Sequence, residues 1–95
     1  MQVQGRGVVK RVLSDDVNGD RHQRFILQLD TKQTLLMAHN IDIAPRLKGL
    51  KSGDKVTFYG LYEWNNIGGL IHWTHHDPDG IHVRGWLRFK GKFYQ

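Results

Sequence analysis

Apolar and polar residues alternate along this chain in short runs, and turn-forming residues separate the runs. Residues 22–29 are the cleanest case, with Phe25, Leu27 and Leu29 on one parity and Arg24, Ile26 and Gln28 on the other. A period of two belongs to a strand with one buried face. Asp30-Thr31-Lys32-Gln33 then predicts a hairpin connection, and residues 34–39 the next strand. Residues 55–64 predict another, with Val56, Phe58, Gly60 and Tyr62 sharing a face. Upstream, residues 2–13 predict a long first strand whose apolar positions change parity around Lys10 and Arg11. A bulge assisted by Gly5 or Gly7 accounts for that change. Residues 70–76 predict a fifth strand, residues 83–89 a further strand or an extension of the fifth, and Lys90-Gly91 a final turn.

Residues 40–51 differ in character. Asp42 suits a cap, Pro45 an early helical position and Gly49 a C-terminal stop. They predict one or two helical turns, with Leu47 and Leu50 plugging one end of a barrel. Polar loops fall at residues 14–20 and 65–69. Three strands, a short helical plug and two more strands, in 95 residues, predict an all-β, five-stranded OB-fold barrel. The expectation is one domain spanning residues 1–95, with a C-terminal strand extension. An SH3-like barrel is the main competitor, and a helix between strands three and four favours the OB order.

Composition narrows the chemistry. Without cysteine there are no disulfides, thiolate metal sites or cysteine nucleophiles. No apolar run approaches the length of a membrane span, and Met1-Gln2-Val3-Gln4-Gly5-Arg6 does not read as an export signal. Fourteen Lys and Arg against nine Asp and Glu give a net charge of +5, which favours a polyanionic partner: nucleic acid, an anionic membrane or acidic glycans. A surplus of this size also serves solubility alone. Its distribution is uneven. Arg84, Arg88, Lys90 and Lys92 occupy a tail with no acid after Asp79, and Arg6, Lys10 and Arg11 cluster in the first strand.

OB domains take ligands on the face of strands two and three, framed by the loops after strands one and four. Here that face offers Arg24 and Gln28, and the second loop offers Trp64 and Asn66. Nucleic-acid binding needs cations along the phosphates, and single strands also need flat side chains for their bases. Arg6, Lys10, Arg11, Arg24, Arg84, Arg88, Lys90 and Lys92 supply the charge, and Tyr59, Trp64, Trp73 and Trp86 supply rings. A small barrel also needs large side chains inside, so each tryptophan has a second reading as core. The functional expectation is a monomer that binds single- or double-stranded DNA, or RNA, chiefly through phosphates and with weak sequence preference. No cofactor, membrane insertion or catalytic residue is expected.

Four of the six histidines lie in Ile71-His72-Trp73-Thr74-His75-His76-Asp77-Pro78-Asp79-Gly80-Ile81-His82. As a helix this run would place His72 and His76 on one face, but its glycines, its Asp-Pro-Asp-Gly turn and its β-formers predict a strand. On a strand those two histidines stand about 13 Å apart, four rises of roughly 3.3 Å, too far for one ion. A set of His39, His72, His75 and Asp77 is the alternative metal site and would make the chain a metal-dependent nuclease or phosphodiesterase. The bland reading is that buried histidines donate to carbonyls and fix loops. Ser14 and Ser52 lack a nucleophile-elbow context. Asp15-Asp16 and Asp77-Asp79 read as turn chemistry. A protein- or glycan-binding module of the envelope is the third reading.

Arg21-His22-Gln23-Arg24-Phe25, His39-Asn40-Ile41-Asp42-Ile43-Ala44-Pro45, Tyr62-Glu63-Trp64-Asn65, Gly68-Gly69 and Ile71-His72-Trp73-Thr74-His75-His76-Asp77-Pro78 run over nearly the whole chain. Together they resemble a small bacterial family catalogued as domain-of-unknown-function family 3465. The resemblance implies a minimal OB domain. Members are often preceded by an export leader, which implies a periplasmic or secreted protein. The family supplies no activity.

Overall fold

In the computed structural model, which describes residues 1–95, the predicted runs become seven strands. These are β1 (Gln2–Val12), β2 (His22–Gln28), β3 (Thr34–Asn40), β4 (Lys55–Glu63), β5 (Leu70–His72), β6 (Trp86–Phe89) and β7 (Lys92–Tyr94). β1, β2 and β3 form an antiparallel meander, and β3 pairs in parallel with β5 through Leu36↔Leu70 and Met37↔Ile71. β5 pairs with β4, and β4 returns to β1 through seven partners from Gln2↔Leu61 to Val8↔Lys55. The barrel is closed in the order β1-β2-β3-β5-β4-β1, the OB-fold, with β6 and β7 added.

The long first strand serves two neighbours. Its N-terminal half pairs with β4 and its C-terminal half with β2, and Val8 faces a partner on each side. Turning that corner needs backbones to approach closely. A Cβ on Gly7 would lie 2.5 Å from the Gln28 carbonyl oxygen, and one on Gly5 would lie 2.8 Å from the Phe58 ring. The bulge lies further on, between Val9 and Arg11, so the glycines give room and Lys10 is the extra residue.

Inward side chains follow the predicted parity. Val9, Phe25, Leu27, Leu35, Met37, Val56, Phe58, Ile71, Leu87 and Phe89 form the buried core, with Tyr94 and Leu47 closing on it. The expected helix is absent, and residues 41–50 run through turns. Leu47 nevertheless plugs the barrel, held by a side-chain amide in place of helical hydrogen bonds. The Leu47 N–H donates to Gln23 Oε1 (2.8 Å) and Gln23 Nε2 donates to the Leu47 carbonyl (3.0 Å), all of it buried. His39 and Asn40 hold the rest of the segment, at the Pro45 carbonyl and the Asp42 N–H. Such side-chain satisfaction of a loop backbone removes the need for a helix.

β5 is shorter than expected because Trp73 adopts φ 56°, a left-handed value that ends the strand. The chain leaves the barrel for residues 73–85 and comes back as β6 on the same edge of β4. β5 covers Leu61, Tyr62 and Glu63, and β6 covers Thr57, Phe58 and Tyr59. Gly60 lies between them, where a Cβ would strike the His72 carbonyl oxygen at 2.7 Å and Thr74 Cγ2 at 3.0 Å. β6 turns into β7 through Lys90 (φ 51°) and Gly91 (φ 78°), the two positive φ values of a type I′ hairpin.

The Gln23 clamp carries a test. Gln23→Ala leaves a buried N–H and a buried carbonyl unpaired, each costing about 1–3 kcal/mol. We expect urea denaturation to show a loss of about 2–4 kcal/mol, and a loss under about 1 kcal/mol contradicts the clamp.

Candidate functional site

Partners across a ladder point to the same face of the sheet. On the outside of β1, β4, β6 and β7 this makes a rung of Arg6, Thr57, Arg88 and Phe93. The rung on one side is Val8 and Lys55, and on the other Gln4, Tyr59 and Trp86. Beside these rungs an open groove of about 890 Å³ runs over the corner where β1 passes from β4 to β2. Arg6, Lys32, Lys55, Arg88 and Lys90 line it, with Asp30 as its one carboxylate. Tyr59, Trp86 and Phe93 form a connected aromatic row. The Tyr59 and Trp86 ring centroids are 6.1 Å apart, and Trp86 meets Phe93 edge-on at 5.2 Å.

None of the five groove cations is paired to a carboxylate, although Asp30 lines the groove and Asp54, next to Lys55, binds Lys51. Of the fourteen lysines and arginines, Arg21, Arg46 and Lys51 meet a carboxylate, leaving eleven without one. Arg21 binds Asp42 and Arg46 binds Asp15, tying the β1–β2 loop to the segment after β3. Hydrogen bonding from the Arg46 guanidinium holds the Asp15 carboxyl below the usual carboxylate range. These pairs lie at the His22 end of β2, about 20 Å by six strand rises from the Gln28 end that borders the groove.

The residues expected from sequence divide over the surface. Arg6, Arg88 and Lys90 come together in the groove, and Tyr59 stands on the same face. Lys92 follows in the hairpin, its ammonium 5.2 Å from the Tyr94 ring centroid. Lys10 and Arg11 are exposed at and beyond the β1 bulge, and Arg84 is exposed in the segment before β6. Arg24 is committed locally, its Nε donating to the Ser14 carbonyl at 3.0 Å. Trp64 (77% exposed) and the exposed Asn66 lie in the β4–β5 loop. Trp73 is no open platform, since His75 stacks on it at 5.5 Å and His82 packs at 4.2 Å. The face usual for OB ligands carries Arg24, Ile26 and Gln28 on β2 and Thr34, Leu36 and Ala38 on β3, with one cation among them. Lys32 and Lys55 were missed. Lys55 was legible in part, since it shares the parity of Thr57 and Tyr59, opposite to Val56 and Phe58.

A second cleft, of about 450 Å³, gathers Asp20, His22, His72, His75, Asp77 and Asp79. All of these side chains but Asp79 are engaged within the fold. His39, behind it and fully buried, donates from Nε2 to the Pro45 carbonyl (2.9 Å) and accepts at Nδ1 from the Thr74 hydroxyl (2.7 Å). His72 Nε2 meets Glu63 (3.0 Å), and His75 Nδ1 donates to the His76 carbonyl (2.6 Å). Asp77 accepts from the His82, Asp79 and Ile81 N–H groups, which hold its carboxyl below the usual range. No three His, Asp or Glu side chains are placed to share an ion, those of His39, His72, His75 and Asp77 included.

Strand order and surface together define a small OB-type barrel with a cationic, aromatic-flanked outer face. Over residues 1–95 the chain matches the family described as "Protein of unknown function (DUF3465)", and it belongs to that family. No curated protein and no solved structure matches it. No helix is long and apolar enough to cross a membrane.

Burial pushes His39 down from 6.5 to about 4 and moves His75 in the same direction. The unfolded chain therefore takes up these protons at higher pH than the folded one. Their contribution to stability is level above about pH 6.5 and is lost as pH drops toward 4, with His39 accounting for about 3 kcal/mol of it. Urea midpoints between pH 7 and 4.5 should show this decline, and His39→Gln should remove most of it. An undiminished slope in the variant contradicts the assignment.

Proposed function

We propose that this protein binds nucleic acid, mainly through phosphates and with weak sequence preference, along the groove beside Arg6, Lys55 and Arg88. One observation carries the reading: five cations from β1, the β2–β3 turn, β4 and the β6–β7 hairpin line one open channel with a single carboxylate. Residues so far apart in sequence are brought to one face by ladder register, and none of the five is paired to an acid. A channel of one charge sign raises the local concentration of a polyanion. Each cation that neutralises a phosphate releases condensed counterions, and this supplies sequence-independent affinity. Arginine and lysine side chains fix position on the backbone without reading bases. The nearly cation-free β2–β3 face is a poor surface for the same task.

Fluorescence anisotropy of labelled oligonucleotides across a salt series tests the reading. With five phosphate contacts, log affinity should fall against log salt with a slope of about −3.5 for a single strand. Lys55→Ala combined with Arg88→Ala should make the slope shallower by about 1.4, equally for unrelated sequences. Arg24→Ala, outside the groove, should leave it unchanged. A slope near zero, or equal effects from Arg24→Ala, overturns the proposal.

A further inference from the structure

We infer that the nucleic acid is held as a single strand, with bases stacked on Trp86 and Phe93 while the phosphates follow the Arg6–Arg88 rung. This rests on the nucleic-acid reading above and specifies the form of the ligand. β6 and β7 lie outside the five-stranded closure, and their inward residues Leu87, Phe89 and Tyr94 already serve the core. Packing of the core does not require Trp86, Arg88 and Phe93, which face outward. Phe93 is 46% exposed and Trp86 is partly exposed, leaving aromatic surface open next to unpaired cations. Arg88 lies over the Phe93 ring at 5.4 Å, so one residue of the cationic rung also borders the aromatic row.

Spacing favours unpaired bases. Tyr59 and Trp86 stand two residues along their strands from Thr57 and Arg88, about 7 Å at roughly 3.4 Å per residue. That separation is comparable with the reach from a phosphate across its sugar to its base. A duplex keeps its bases stacked inside and would present only backbone to these rings, whereas an unpaired base can lie on them. Trp64 is more exposed, but it is nine residues along β4 from Lys55, up to roughly 30 Å for an extended strand. It lies five residues beyond Tyr59, on the side away from the Arg6–Arg88 rung, and has no ring contact with Trp86 or Phe93.

Three labelled probes of about twelve nucleotides separate the possibilities: an all-thymidine strand, an abasic strand of the same length, and a duplex of the same length. Stacking predicts that the thymidine strand binds at least about five-fold tighter than the abasic strand, and tighter than the duplex. Trp86→Leu with Phe93→Leu should make the thymidine and abasic strands bind alike, while Trp64→Leu leaves the preference for thymidine intact. Phe93→Leu alone, at a surface position, carries the test if the double variant does not fold. Equal binding of thymidine and abasic strands, or tighter binding of duplex, overturns the single-strand inference and leaves the phosphate reading standing. No binding of any probe overturns both.

Discussion

β4 is paired along both edges, and its second edge is longer than β5 can cover. Left open, Thr57, Phe58 and Tyr59 would present unpaired backbone groups beside the core, a costly arrangement for a small barrel. β6 fills that half-edge, and the Lys90-Gly91 turn folds β7 back onto it. Closure then settles the outer surface as well, because an antiparallel register that buries Leu87 must turn Trp86 and Arg88 outward, in line with Tyr59 and Thr57. The cationic and aromatic rungs are thus a consequence of how the fold completes its edge.

Polar groups inside the barrel act at the other end. Gln23, His39 and Asn40 are buried, and each binds the chain after β3 or the β1–β2 loop. With ion pairs such as Arg21–Asp42 and Arg46–Asp15 they concentrate hydrogen bonding and negative charge around the His22 end of β2. The far end keeps Arg6, Lys32, Lys55, Arg88 and Lys90 without a carboxylate partner, while Asp54 binds Lys51 beside them. This separation of charge within a chain of net +5 gives the surplus a direction.

Strand parity was legible where one face is buried. Phe25, Leu27, Val56 and Phe58 announce their strands because the barrel interior accepts only apolar residues at alternate positions. The OB order was read from the succession of those strands and from a helix between strands three and four; the order holds although the helix is absent. The helix at residues 40–51 was a false expectation, since Asp42, Pro45 and Gly49 satisfy helix-end rules while the deciding partners, Gln23 and His39, lie on other strands. The end of β5 at Trp73 was equally hidden, being set by the return of residues 73–85 to the β4 edge. Arg6, Arg88 and Lys90 stood out as cations in basic stretches, but Lys32 and Lys55 join them only through tertiary register. The histidine-rich run drew attention by composition, and its hydrogen bonds give it the role of fixing a loop.

Amide chemical-shift mapping by NMR, with a short single-stranded oligonucleotide titrated into the labelled protein, tests most directly which face of the barrel takes the ligand. The predicted result is largest shifts at Arg6, Lys55, Thr57, Arg88 and Phe93, smaller ones at the Gln28 end of β2, and the rest of β2 and β3 nearly silent. Shifts concentrated instead on Arg24, Leu36, Ala38 and the loops around Ser14 and Trp64 would place the ligand on the β2–β3 face and contradict that result.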